Sequence, residues 1–494
     1  MTQRKSRFSS LFGVKDMTNG NPLSLMLLFS LPLLIGNVAQ MLYTVIDGVI
    51  LGNMIGKEAL ASVGVSAPIQ QPFNTFFMAV GVGATVMVSQ YFGAKDRERL
   101  SLATGTSLVL TLIVTVFITV VGIPVSGFFL EATNAGHPGE PLFDYAKQYL
   151  QITFAGAIGL GFYNILSGIL RGLGDAIFPF IVLVATSLLH IALDFLFVGP
   201  LGMGVAGAAW STLIAQYISA AACLWRLVRM KSTLELSRRT LRPNKAMAVQ
   251  MIKIALPAGI MQWVLSAAAL FVQSLINSIQ VVSAATGIAT NAIFLAANTA
   301  VTRIDGLANL PSQAFSMAGS TFAGQNIGAG RLDRVKQGFR IIFILSMAVE
   351  LVLFVLIYIF APELVKMFIS MSDPDAKTIL ELGAHVVRIN VWNFLIMVVV
   401  QSTNGVIRGA GDTVAVMIFT LIATVGVRIP IAYIWVMNDK SAMFPNGGPD
   451  GVFWSMVIGF SVAAALCMIY YVSGRWKKKA VVDAGYIAEE NEKE

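Results

Sequence analysis

Long apolar blocks impose the first constraint on this chain. Residues 23–46 and 107–121 are two of many. A helix that crosses hydrocarbon needs about 20 mainly apolar residues. No water inside a bilayer pairs with the backbone, so each block must satisfy its own N–H and C=O groups, which a helix does. The expected fold class is therefore all-α: a polytopic membrane protein. Composition agrees. Of 494 residues, 56% are hydrophobic and 12% charged, and the mean hydropathy is +0.75. Ordinary soluble domains carry about 25% charged residues. A soluble globular enzyme, a disordered chain and a secreted disulfide scaffold are excluded. Cys223 and Cys467 are the only cysteines, both within apolar stretches, so no disulfide framework or CxxC site is expected. Residues 1–20 are polar and basic, which is not the pattern of a cleaved secretory leader.

The pattern predicts twelve transmembrane helices. They are 22–47, 60–90, 101–125, 142–169, 175–198, 204–229, 247–277, 284–322, 338–360, 378–406, 412–437 and 451–473. The net charge of +8 does not point to nucleic acid, because the basic residues sit between apolar blocks. With the N-terminus inside, 26 of the 34 Lys and Arg fall in inner segments and 5 in outer ones. Arg303, Arg388 and Arg428 lie within spans. Such a bias orients a membrane protein with both ends cytoplasmic. The longest basic stretch, 226–253, reads as a cytoplasmic linker touching anionic lipid.

Internal repeats divide the chain in two. Gln90 in SQYFGAK matches Gln325 in GQNIGAG at an offset of 235, and Arg171 in LRGLGD matches Arg408 in IRGAGD at 237. Trp210 in GAAWS matches Trp454 in GVFWS at 244, as Cys223 matches Cys467. Leu31-Pro32 matches Leu256-Pro257 at 225. Matches in order with a slowly drifting offset predict two pseudo-symmetric six-helix bundles, an architecture that transporters use. The expected layout is a cytoplasmic segment 1–21, a first bundle 22–229, a linker 230–246, a second bundle 247–475 and a cytoplasmic tail 476–494.

An ionisable group inside a membrane is costly unless it faces a cavity or a partner. Asp47, His190, Asp194, Arg303, Asp305, Glu350, His385, Arg388 and Arg428 fall within the spans. Asn37, Gln40, Tyr43 and Asp47 cluster on one helical face, and His190 precedes Asp194 by one turn. Desolvation favours the neutral form of a carboxylic acid, so such a group takes a proton from one side and releases it to the other. At the repeat offsets Asp47 corresponds to Val272 and Asp194 to Ile431, so only the first half carries this pair. The plainer alternative places each Asp at a helix end in interfacial water. Arg303 and Asp305 suit a polar cavity wall or a broken helix, Glu350 a buried structural hydrogen bond, and His385 with Arg388 an interfacial position. Pro32 and Pro257 each remove a backbone donor in mid-helix, so a kink is expected at both; it is either static or the bend of a transport cycle. Met41, Met78, Met261 and Met317 either line an adaptable cavity or pack in the core. With no HExxH, no P-loop, and three His in all, neither an enzyme mechanism, a metal site nor a cofactor is expected.

These motifs resemble those of the multidrug and toxic compound extrusion (MATE) transporters. The likeness runs through Pro32, Asp47, Gly52 and EALASVG, VSQYFGAKD at 88–96, LRGLGD at 170–175, LDFLFVGPLGMGVAGAAWST at 193–212 and GQNIGAG at 324–330. It covers about 20 to 475. The resemblance implies two six-helix bundles, alternating access, and export of bulky, often cationic drugs in exchange for protons or sodium ions. Asp47 and Asp194 match the family's two first-bundle carboxylates; Tyr43, Thr212 and Asn164 match its polar neighbours. His190 stands where the family often has Asn. Gln40, Met41, Met261, Gln262, Arg303 and Asp305 are the expected cavity residues. A branch of the family carries a Glu in helix 7 and an Asp in helix 10; Ser266 and Met397 stand at those places, which counts against that sodium site. The expected protein is a proton-coupled multidrug antiporter, a monomer of the bacterial inner membrane. A sodium-coupled antiporter and a flippase for a lipid-linked precursor are the alternatives, the latter disfavoured by scarce intramembrane cations. A channel or receptor without coupled transport is a more distant reading.

Overall fold

A computed structural model describes residues 13–133 and 137–482. The outermost parts of the two expected cytoplasmic ends, 1–12 and 483–494, lie outside the described residues.

The first seven helices are α1 (Pro22–Met54), α2 (Lys57–Gly93), α3 (Arg97–Ala132), α4 (Pro141–Ala155), α5 (Ala157–Gly172), α6 (Ile177–Val198) and α7 (Gly204–Arg229). Local chemistry sets their ends. The side chain of Asn21 accepts from Leu23 N–H at 3.0 Å ahead of Pro22, and Asp96 accepts from Arg99 N–H at 2.9 Å. Both satisfy donors that a helix start leaves unpaired. Gly156 separates α4 from α5, which bend by 47°. Together they form the fourth expected span.

α8 (Lys245–Ser278) is followed by a short antiparallel hairpin, β1 (Val281–Val282) with β2 (Ala289–Thr290). Then come α9 (Ala292–Ala308), α10 (Leu310–Gly328), α11 (Leu332–Ile359), α12 (Ala361–Lys366), α13 (Ala376–Asn390), α14 (Trp392–Gly409), α15 (Thr413–Leu421), α16 (Ile429–Asn438) and α17 (Asp450–Ser473). A seven-residue π-helical turn, Ile422–Arg428, joins α15 to α16 within one span. The expected span 284–322 starts later than predicted, because the hairpin occupies its first turns. It is also less apolar than the others. Ten helices among the described residues are long and apolar enough to cross a membrane, eleven with the bent α4–α5 pair; α9–α10 stands at the eighth expected span, 284–322. Pro32 and Pro257 lie inside α1 and α8 without interrupting either helix.

The chain forms two compact units. Among the described residues, one holds 13–259, 321–334 and 480–482; the other holds 260–320 and 335–479. The first is built on an apolar core that includes Met87, Ile165, Leu170 and Leu227. The core of the second includes Phe294, Val301, Val386 and Phe394. Outward-turned Phe117, Leu188, Phe271 and Leu270 keep 65–67% of their surface exposed, as a lipid-facing side chain does.

The repeats have a structural reason. In LRGLGD, Gly174 has φ +83°, and in IRGAGD, Gly411 has φ +92°. Glycine supplies this left-handed turn without a steric cost. The following Asp caps the next helix in both copies: Asp175 accepts from Phe178 N–H at 3.2 Å and Asp412 from Ala415 N–H at 3.2 Å. The second carboxylate oxygen takes a partner from the last helix of each half. Asp175 accepts from Arg226 at 2.9 Å, and Asp412 from the Tyr470 hydroxyl.

Candidate functional site

The α6–α7 pair shows how the sequence builds a polar seam inside a membrane unit. Val182, Thr186, His190, Asp194 and Val198 are all buried. Their four-residue spacing puts them on one stripe. α7 answers with Ser211, Thr212 and Ser219. Ser219 Oγ donates to Thr186 Oγ1 at 2.8 Å, His190 Nε2 meets Thr212 Oγ1 at 2.8 Å, and Ser211 Oγ donates to Asp194 Oδ1. The seam thus satisfies polar groups that hydrocarbon would leave bare.

α1 completes the site. The Tyr43 ring meets the His190 ring edge-on, with centroids 5.5 Å apart. Asp47 follows one turn later. Asp47, His190 and Asp194 each bring one carboxylate or imidazole atom within 4.8 Å of the others. His190 Nδ1 lies 3.2 Å from Asp194 Oδ2. Those two atoms and Asp47 Oδ1 are buried without a hydrogen-bond donor. No metal spacing is visible along the chain; the fold assembles three ligand-type residues from two helices.

A cavity of about 430 Å³ opens beside this group. Of the expected residues, Gln40, Tyr43, Asp47, Asn164 and Thr212 line it, as does Met78. His190 and Asp194 do not. Met41 is absent from the lining. Gln70, Asn74, Tyr149 and Thr153 were not foreseen; they belong to α2 and α4, where scattered polar residues in apolar helices are the only signal. Ser211 was also missed, although it stands next to Thr212 in the repeated GAAWS motif. Among the described residues no Lys or Arg lines the cavity, and its one acidic lining residue is Asp47.

The remaining expected residues belong to the second unit, outside that cavity. Met261 is buried in an apolar cluster with Ile407 and Val416, and Gln262 and Arg303 are exposed. Asp305 is the centre of a separate network. Its Oδ1 accepts from Asn390 at 3.0 Å and from Asn309 at 3.1 Å, and Asn393 donates to Asn390 Oδ1 at 2.7 Å. Arg428 lies within electrostatic reach of Asp305. Glu350 is buried and accepts from Ser312 at 2.7 Å, the structural hydrogen bond expected of it. His385 pairs with Asp450 at 2.8 Å on an exposed surface, as an interfacial residue does. At the offsets of the repeats, Val427, Ile431 and Met456 replace His190, Asp194 and Thr212. The second unit therefore has no copy of the trio, and Ser455, which matches Ser211, donates only to the Val452 carbonyl.

Repeated halves, spans of membrane length and a buried ionisable group beside a cavity define the class: a multi-pass helical membrane transporter. Comparison with known proteins identifies the family. The MatE family model matches the chain twice, at residues 32–196 and 268–434, one match in each half, and the chain belongs to the MATE family. It is 29% identical over 466 residues to "Probable multidrug resistance protein YpnP" of Bacillus subtilis, covering 94% of this chain and 97% of that one. It is 26% identical to "Probable multidrug resistance protein NorM" of Thermotoga maritima, covering 92% and 93%. Among solved structures, a MATE in the bent conformation matches with a TM-score of 0.83 at 25% identity, over 94% of this chain and 98% of the other. An outward-facing multidrug resistance MATE transporter matches with 0.82 over the same shares.

Proposed function

We propose that this protein is a secondary active exporter that expels bulky, often cationic drugs in exchange for protons by alternating access. One observation carries the coupling: Asp47, His190 and Asp194 bring ligand-type atoms within 4.8 Å of one another, and Asp47 Oδ1, His190 Nδ1 and Asp194 Oδ2 are each buried without a hydrogen-bond partner. Such a group is balanced only by a proton or another cation. Asp47 and Asp194 are the proton carriers, His190 and Tyr43 hold them in place, and Thr212 and Asn164 connect them to the cavity. Proton binding that differs between inward- and outward-open states supplies the drive, and a bend forming at Pro32 transmits it. The names of the relatives support drug export. The cavity supports cationic cargo, because among the described residues it presents a carboxylate and no Lys or Arg. The same feature disfavours a phosphate-bearing lipid precursor. In this reading the protein is a monomer of the bacterial cytoplasmic membrane with both termini inside.

Sodium coupling is the nearest alternative, since carboxylate oxygens also suit that ion. Energised inverted vesicles separate the two. Drug transport is followed under an imposed proton gradient and then an imposed sodium gradient, for the wild type, Asp47→Asn and Asp194→Asn. Transport driven by protons alone and lost in both variants is the expected result. Transport that sodium drives, or that survives both changes, overturns the assignment.

A further inference from the structure

The hydrogen count at His190 extends this reading of the trio. Thr212 has one hydroxyl hydrogen, and it is donated to the Ala208 carbonyl at 3.0 Å. The Thr212 oxygen therefore accepts from His190 Nε2 at 2.8 Å. In that arrangement the imidazole hydrogen is on Nε2 and the lone pair on Nδ1. Nδ1 then faces Asp194 Oδ2 at 3.2 Å, lone pair to lone pair. Asp47 presents a third such atom. His190 is 3% exposed and Asp194 0%, so bulk water does not supply the missing hydrogens.

We propose that Asp47, His190 and Asp194 form a three-ligand site for a borderline divalent cation, of which Zn²⁺ is the probe of choice. The proposal rests on the trio being the cation-responsive centre, and goes beyond it in the chemistry of the ion. Two ligands about 2.0–2.1 Å from Zn²⁺ at a tetrahedral angle stand about 3.3 Å apart. The Nδ1–Oδ2 separation of 3.2 Å already has that value. Two carboxylates neutralise a dication, and an imidazole nitrogen favours zinc over the hard alkali and alkaline-earth ions. The outer contacts are those of a metal-binding histidine: the second ring nitrogen is fixed by Thr212, and the second Asp194 oxygen by Ser211. Tyr43 and Asp47 border the cavity, so a water or substrate atom reaches the fourth position. Zinc bound here holds both carboxylates ionised and so competes with proton loading.

The test uses the full chain, purified in detergent, stripped with a chelator and titrated with Zn²⁺ alone against a competing indicator. The wild type binds one Zn²⁺ per chain, and X-ray absorption shows nitrogen and oxygen neighbours at about 2.0–2.1 Å with imidazole scattering. His190→Asn weakens binding at least about tenfold, and Thr212→Val by about 10- to 100-fold. His385→Asn, at the exposed pair with Asp450, leaves affinity unchanged. Equal affinity in wild type, His190→Asn and Thr212→Val overturns the site, as does loss of binding in His385→Asn alone. Thr212→Val decides the matter should His190→Asn fail to fold. Zinc-free, proton-driven transport by Asp194→Asn is measured in parallel. Loss of that transport without any His190 dependence of zinc affinity removes the zinc site and leaves proton coupling standing. The opposite pair of results removes the coupling and leaves the site.

Discussion

Gly93 and Gly328, equivalent positions of the SQYFGAK and GQNIGAG repeats, pack against each other's helices reciprocally. A Cβ on Gly93 would lie 1.9 Å from the Gln325 carbonyl oxygen, and a Cβ on Gly328 would lie 1.9 Å from the Gln90 carbonyl oxygen. The last turns of α2 and α10 thus touch backbone to backbone, and no residue but glycine fits. Backbone has little room to yield, so an added methyl acts as overpacking. Gly93→Ala and Gly328→Ala are each expected to cost about 1–3 kcal/mol, read as lower melting temperatures of the purified protein. Gly64, also in α2, has open space where a Cβ would stand, with nothing within 4 Å. Gly64→Ala is expected to raise stability by about 0.5–1 kcal/mol through helix propensity alone. A Gly93→Ala protein that melts with the wild type would refute the packing argument.

The glutamines beside these glycines hold the two ends of the described chain. Gln325 Oε1 accepts from Met17 N–H at 2.8 Å, and Gln90 Oε1 accepts from Val481 N–H at 2.6 Å. Both glutamines are fully buried. Replacing either with Leu leaves a buried backbone donor unpaired, at about 1–3 kcal/mol. The expected signature is local. Gln325→Leu speeds amide exchange around residue 17 and leaves residue 481 protected, and Gln90→Leu does the reverse. Exchange that rises at both ends in either variant would mean general loosening.

Lys95 has φ +57° and is the one non-glycine residue with positive φ among the described residues; its repeat partner Gly330 has φ +70°. A side chain with a Cβ pays about 1–2 kcal/mol in that region. Lys95→Gly is expected to gain about 1 kcal/mol and Gly330→Lys to lose a similar amount. Thermal melts of both variants check this, and a destabilised Lys95→Gly protein would show that Lys95 makes contacts worth more than the strain.

Much of the fold was legible because hydrocarbon enforces it. Every expected span has a helical counterpart, and the repeats marked real pseudo-equivalent turns, such as the Gly174–Asp175 and Gly411–Asp412 caps. The hairpin at 281–290 was not legible, since two-residue strands carry no periodicity. The π-helical turn at 422–428 was hidden for the opposite reason, because an apolar run reads the same in either helix type. At the site, Asp47 and Asp194 stood out as ionisable residues in apolar blocks. Their closeness did not, because it depends on how α1 docks on α6. Met261 is the converse case: thioether chemistry suits a cavity wall and a core equally, and the core took it.

The second unit offers the last test, at the half-buried charges of Asp305 and Arg428. Asp305 accepts from Asn309 and Asn390 and lies within electrostatic reach of Arg428. Asp305→Asn preserves an acceptor oxygen but removes the charge that balances the guanidinium. Leaving that half-buried guanidinium without its counter-charge is expected to lower the melting temperature. Arg428 donates otherwise to Met456 Sδ at 3.6 Å, a weak acceptor that does not replace a carboxylate. Arg428→Met removes the cation and places one thioether beside another. The double variant Asp305→Asn/Arg428→Met is therefore expected to melt above Asp305→Asn alone, recovering about half of its loss or more, because residues that share a network do not add. Strictly additive losses across the four proteins would show that Asp305 and Arg428 act independently, and the charge balance of this network would then have to come from elsewhere.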